Sequence, residues 1–197
     1  MTELRTQVPD SAIVRAVLHW LESAVIGLNL CPFAKSVYVK GQIHTVVYRP
    51  QSDADLLAAL RSELEALAAA SPQQRDTTLM VIAEGYADFL GFQAIVGRAE
   101  KVLRKAGLEG ELQIAHFHPD FEFAGAAPDD ITHFTNRAPY PILHLLREDS
   151  IARAVAAIPD ADSIYEKNMQ TMTRLGEAGW RALGVGPAVG KDTEDSA

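Results

Sequence analysis

The chain has 197 residues, of which 48% are apolar and 22% charged, the length and balance of one globular domain with a continuous core. Its 26 acidic and 18 basic side chains give a formal net charge of −8, which leaves no basic footprint for a nucleic-acid backbone or an anionic membrane surface. Cys31 is the one cysteine, so an intramolecular disulfide and a cysteine-built zinc cluster are both excluded. Residues 1–10 lack the apolar core of a signal peptide and no apolar run approaches a membrane span, so a soluble, cytoplasmic protein is expected.

Ile13, Val17, Leu21, Val25 and Leu28 recur every three or four residues and mark a first helix that Asp10 or Ser11 can cap. Cys31-Pro32 ends it, because proline has no amide hydrogen and forces the residue before it into extended angles. Residues 43–48 are β-branched and aromatic and read as a strand stopped by Pro50. Ser52 and Asp55 have capping-box spacing and open a second helix that buries Leu56, Leu60, Leu64 and Leu67. The near-continuous apolar run over 77–83 predicts a strand covered on both faces. Asp88 can cap a third helix burying Phe89, Phe92, Val96, Leu103 and Ala106 before Gly107 closes it. Residues 111–118 alternate as a third strand, with Leu112, Ile114, His116 and His118 on one face.

A long irregular stretch over 119–141 follows, and its aromatic residues argue for an ordered loop. Residues 142–147 fit a strand or the start of a helix. The strand is preferred, because Asp149 or Ser150 then caps a helix burying Ile151, Val155 and Ile158. A last helix is expected over 162–175. Strand–helix–strand crossovers make neighbouring strands parallel. The expected fold is therefore one layered α/β domain over residues 1–183, with a mostly parallel sheet of about four strands flanked by helices. A flexible acidic tail is expected over 184–197.

Open α/β sheets bind ligands beyond the carboxyl ends of their strands, which points to the end of the third strand and the loop after it. His116 and His118 stand two apart and can approach one metal ion, with Asp120, Glu122 or Asp130 adding oxygen ligands. The alternative is one histidine hydrogen-bonded beneath the core and the other exposed. Asn136-Arg137, followed by Ala-Pro-Tyr-Pro, can hold a guanidinium fork steady for a carboxylate or phosphate. Equally, Arg137 can pair with Asp129 or Asp130 to pin the loop. His144 lies in an apolar run and reads as a core residue, with Arg147 and Glu148 as solvated or loop-pairing charges. Cys31 serves as a nucleophile only if a cation or helix end lowers its pKa; between Leu30 and Pro32-Phe33 it reads as a small buried hydrophobe. No phosphate-binding glycine loop, nucleophile elbow or His-Glu-x-x-His helix is present.

The segments Leu-Asn-Leu-Cys-Pro-Phe-Ala (28–34), Phe-His-Pro (117–119), Phe-Ala-Gly (123–125) and Thr-Asn-Arg-Ala-Pro-Tyr-Pro-Ile-Leu-His-Leu-Leu-Arg-Glu (135–148) together resemble the uncharacterised bacterial family called domain of unknown function 1415. That resemblance brings no established activity. It implies that Cys31, His118, Asp130, Asn136, Arg137, His144 and Glu148 match the family pattern. His116 and His133 stand where the pattern commonly has Ser and Asn, which weakens the metal site.

The resulting expectation is a small-molecule enzyme in which His118 is a general base or metal ligand, His144 assists it and Asp130 orients a histidine or the arginine. Asn136, Arg137 and Glu148 would bind an anionic group of the substrate. The rival expectations are a metabolite- or cofactor-binding module, and a structural or interaction protein in which the Asn-Arg-x-Pro segment only pins a loop.

Overall fold

The computed structural model describes residues 7–157 and 163–189. Helix α1 (Asp10–Trp20) runs on into a π-helical turn over Leu21–Ile26, and a short helix α2 (Ala34–Val39) follows Cys31-Pro32. Neither Asp10 nor Ser11 caps α1 through its side chain; the capping position is held by Pro9 in an extended conformation. The expected stripe is buried through Ile13, Val17, Leu21 and Val25, and Trp20 joins it.

Strand β1 (Ile43–Tyr48), helix α3 (Asp53–Ala69) and strand β2 (Thr77–Ile82) form a parallel crossover unit. Ser52 accepts the Asp55 amide, as its spacing requires, and Leu56, Leu60, Leu64 and Leu67 are wholly buried, each worth about 1.5–3 kcal/mol of transfer free energy. Every residue of β2 is buried, as expected of a strand covered on both faces. Helix α4 (Phe89–Lys105), capped by Asp88 through the Gly91 amide, leads to strand β3 (Leu112–Phe117). A 3-10 turn (Ile131–Thr135) interrupts the long loop before strand β4 (Ile142–Arg147), helix α5 (Glu148–Ala156) and helix α6 (Ile164–Ala182).

The sheet order is β1-β2-β4-β3, with β1 and β2 parallel and β4 antiparallel to both β2 and β3. The expectation of a mostly parallel sheet is therefore corrected. The two crossovers do leave β1, β2 and β3 running the same way. The loop after β3, however, returns the chain between β2 and β3, so β4 enters reversed and only one hydrogen-bonded pair is parallel.

Two cores lie on the two faces of this sheet. One packs α1, its π-turn and α6 against Leu79, Val81 and Ile142. The other packs α3 and α4 against Met80, Ile82, Leu112, Leu143 and Leu145. Helix α5 starts directly after β4 at Glu148, ahead of the expected Asp149 or Ser150 cap. None of its residues is fully buried: Val155 is exposed, Ile151 faces a cavity, and Ile158 lies outside the described residues. Helix α6 runs past the expected end at Leu175 and kinks at Gly176, whose positive φ of 62° suits glycine. The expected start of that helix, Asp162, lies outside the described residues. From the segment expected to be flexible, the Ala188 amide donates to the Tyr140 hydroxyl at 2.9 Å, and residues 190–197 lie outside the description.

Arg147, expected to be solvated or paired in a loop, is buried, and its guanidinium donates to the carbonyls of Leu67 and Ala70 at the C-terminal end of α3 and of Arg75 in the loop that follows. The last carbonyls of a helix carry the negative end of its dipole, and here the Ala70 amide, at 3.2 Å from the Leu67 carbonyl, leaves room for the cation to bond the same oxygen. Arg147→Leu should therefore lower stability by about 2–4 kcal/mol in urea unfolding, and Arg147→Lys should not restore it, since an ammonium cannot reach three carbonyls with a planar fork.

Candidate functional site

His118 is fully buried just beyond β3, against the rings of Phe89 and Phe92 on α4. Its Nδ1 accepts the Asp120 amide at 3.0 Å, so the ring hydrogen sits on Nε2 and donates to the Tyr86 carbonyl at 2.9 Å. His133 repeats the arrangement. It is buried, accepts the Phe123 amide at Nδ1 (3.1 Å) and donates from Nε2 to the Ala127 carbonyl (2.7 Å). Both imidazoles thus satisfy backbone groups of irregular segments, the loop after β3 and, through Tyr86, the connection from β2 to α4, which have no ladder to satisfy them. Asp130 accepts the Thr132 amide at the start of the 3-10 turn, and that bond is the main cause holding its carboxyl below the ordinary value. Among the described residues it makes no hydrogen bond or ion pair with a histidine ring or with Arg137, and the nearby His133 lowers its pKa only as the smallest of the causes.

The pairing of Arg137 with Asp129, Asp130 or Glu148 is also corrected. No such ion pair exists among the described residues. The guanidinium lies 4.1 Å over the Phe134 ring and Nε donates to the Phe121 carbonyl at 3.4 Å, an attraction the ring quadrupole explains. The backbone of the same segment is tied down as well: Trp20 donates to the Arg137 carbonyl at 2.9 Å and the His118 amide to the Asn136 carbonyl at 3.3 Å. Asn136 accepts the Thr135 hydroxyl, and Glu148 begins α5 after the far end of β4, where its amide meets the Glu111 carbonyl.

His116 does share a face with His118, as alternation requires. It meets Gln93 at 3.2 Å, and burial, then the proximity of His118, lowers its pKa. No group of three or more His, Cys, Asp or Glu side chains able to hold a metal is found among the described residues.

His144 does not come beside His118. Its register partner is Ala115, so it projects to the face of the sheet opposite the one shared by His116 and His118. On that face lies a cavity of about 690 Å³, lined by Thr77, Leu79, Ala115, Phe117 and His144 from the sheet, by Trp20, Leu21, Val25 and Cys31 from the N-terminal segment, and by Ile151 and Ala154 from α5. The cavity lies over the sheet face toward the N-terminal ends of β1 and β2, whereas the sequence pointed to the opposite end of the sheet. The loop after β3 that the sequence pointed to lines instead a smaller hollow of about 210 Å³, through Pro119, Phe134, Arg137, Ala138 and Pro139.

The electronic state of His144 follows from its neighbour. The Thr77 hydroxyl lies 2.7 Å from the Leu145 carbonyl and 2.6 Å from His144 Nε2. A carbonyl can only accept, and two lone-pair oxygens at that distance would repel, so the single hydroxyl hydrogen goes to Leu145. Nε2 then carries the ring hydrogen and donates to Thr77. Nδ1 keeps its lone pair, with no hydrogen-bond partner among the described residues, on a side chain that lines the cavity. Desolvation pushes the pKa of this ring down to about 4, which keeps it neutral. Cys31 is half-buried in the same wall; burial raises its pKa, while the Phe33 and Ala34 amides partly offset the effect. It is a protonated thiol.

Thr77, Trp20 and the cavity itself were not legible as a site. The signals in the sequence were Cys31, read as a small hydrophobe or a nucleophile, and His144 inside the apolar run 142–146, read as core or as an assistant to His118 rather than as the centre of a separate site.

The family model described as Protein of unknown function (DUF1415) matches residues 12–182. The chain belongs to this family. No curated protein and no solved structure matches the chain. The matched span includes all four strands, the pinned loop and every cavity residue named above.

Two measurements check this geometry. His118→Ala orphans the Tyr86 carbonyl and the Asp120 amide and empties the space beside Phe92, so it should cost about 2–4 kcal/mol in urea unfolding. The second concerns pH. The folded state keeps His144 neutral down to about pH 4 from an ordinary value of 6.5, so between those pH values the unfolded chain binds more protons. Stability should fall as pH drops through that window, by up to about 3 kcal/mol, with His116 adding in the same direction. His144→Gln should flatten the loss when unfolding midpoints at pH 7 and pH 4 are compared.

Proposed function

We propose that this protein binds a small organic molecule in the cavity over the α1 face of the sheet, with His144 as its polar anchor. The observation that carries this reading is the unpartnered Nδ1 of a neutral, tautomer-locked imidazole on the wall of a space of about 690 Å³. That volume lies within the ordinary range of small-molecule sites, and an apolar lining with few oriented polar groups is their usual composition. The anchor would accept a hydrogen bond from a ligand hydroxyl or N–H group.

Binding is favoured over catalysis for two reasons. A base with a pKa near 4 is poorly matched to proton transfer at neutral pH, and a thiol whose pKa is raised by burial is poorly matched to nucleophilic attack. The enzyme reading built on His118 loses support because both its ring nitrogens are engaged with backbone groups. The contacts of His118, His133, Asp130 and Arg137 favour a scaffolding role for the loop. A reducing cytoplasm, where the single thiol stays free, suits this reading. No helix among the described residues is long and apolar enough to cross a membrane.

Fluorescence titration with phenyl-naphthylamine, an uncharged aromatic amine with one N–H donor, tests the proposal. Saturable binding of one equivalent is expected. Ala115→Phe, which fills the cavity floor, and Ala154→Phe, which fills it from α5, should each weaken binding at least about tenfold while circular dichroism shows the fold retained. Absence of binding, or equal binding by both filled variants, would refute the cavity as the site.

A further inference from the structure

We infer that the natural ligand is an amphipathic organic anion, seated with its apolar body over the sheet and its charged end at the cavity mouth. This inference rests on the cavity reading above and adds the ligand class. The cavity has a polarity gradient. Its floor is formed by the buried Thr77 and Leu79, and its outer lining includes the exposed Lys40 and Arg153. Trp20 and Phe117, in edge contact at 5.0 Å, supply flat apolar surface beside His144, which Phe117 meets at 6.1 Å. That surface suits an aromatic or alicyclic body.

The charge at the mouth runs against the charge of the molecule. The chain carries 26 acidic and 18 basic residues, yet the charged residues lining the cavity among those described are Lys40, Arg147 and Arg153 against the single carboxylate Asp76. Arg147 is committed to the carbonyls of α3, which leaves two cations to act on a ligand. Asp76 is engaged too: it accepts the Ser150 hydroxyl at 2.6 Å, and Ser150 in turn accepts Arg153 Nη2 at 3.0 Å. This relay holds the Arg153 side chain at the mouth with its other nitrogens unpaired among the described residues. Lys40 stands just after α2 and has no ion pair among the described residues. A carboxylate or sulfonate at the mouth would meet an ammonium and a guanidinium from two separate wall elements. An ammonium-bearing ligand would meet like charge there.

A matched pair of probes isolates the charge. Anilinonaphthalene sulfonate has the same skeleton and N–H group as phenyl-naphthylamine and differs by the sulfonate. At low salt the sulfonate should bind about three- to tenfold more tightly than the amine, the range expected of two partly solvated charge pairs. The ratio should shrink toward one in half-molar sodium chloride, because salt screens a mouth open to solvent. It should also collapse in Lys40→Gln/Arg153→Gln, a double substitution of exposed residues. Equal affinity of the two probes for the wild type, or a ratio untouched by the double substitution, overturns the inference while leaving the cavity reading intact. Failure of the uncharged amine to bind sinks the cavity reading and this inference with it.

Discussion

Placing β4 between β2 and β3 obliges the chain to reverse after Phe117 and re-enter the sheet at Ile142 antiparallel to both neighbours. An interior strand must find ladder partners on both edges, so the turn that delivers it has to be held in one shape. Its own backbone does part of this, through bonds such as Asp130 N–H to the Ala127 carbonyl and His118 N–H to the Asn136 carbonyl, but Pro119, Pro139 and Pro141 donate nothing. Side chains supply the rest. The imidazoles of His118 and His133 each bridge an amide and a carbonyl, Asp130 caps the 3-10 turn and Trp20 takes the Arg137 carbonyl.

The same insertion decides which face of the sheet each histidine takes. Alternation along β4 sets His144 against Ala115 and toward α1, while His116 on β3 and His118 just beyond it face α4. Polar groups that sequence proximity suggested as one site are thereby divided between the two faces of a sheet whose interior strands are covered on both sides. The loop side keeps its polar groups for structure, and the opposite face keeps one ring nitrogen unspent. The π-helical turn after α1 adds Leu21 and Val25 to the cavity wall, which fits the common occurrence of such turns beside functional sites.

Buried polar chemistry in this protein is largely neutral or aimed at backbone carbonyls. Thr77, His118, His133 and Arg147 are buried, and each has a hydrogen-bonded partner. That economy follows from the cost of leaving a buried donor or acceptor unmade, which exceeds the net worth of making it. Against this background a ring nitrogen without a partner among the described residues, on a side chain that lines the cavity, stands out, and desolvation keeps that ring uncharged.

The sequence by itself determined the four strands, the buried stripes of the first long helices and two of the caps, while the caps expected at Asp10 or Ser11 and at Asp149 or Ser150 do not form. Ser52 and Asp88 accept the amides that their spacing assigned, the four leucines of α3 are wholly buried, and the run 77–82 is a strand buried throughout. These features are local: periodicity and cap chemistry act within a turn or two of the chain. Pairing order, by contrast, depends on which strand edges meet after a reversal of more than twenty residues, and no spacing encodes that. Only the tertiary structure therefore decided that β4 lies antiparallel inside the sheet, that Arg147 reaches the end of α3, that Arg137 rests on Phe134 and that His144 lines a cavity with Cys31 and Thr77. Each of these joins residues distant in the chain, and it is their packing, rather than any motif, that determines whether a polar atom is satisfied or left open to a ligand.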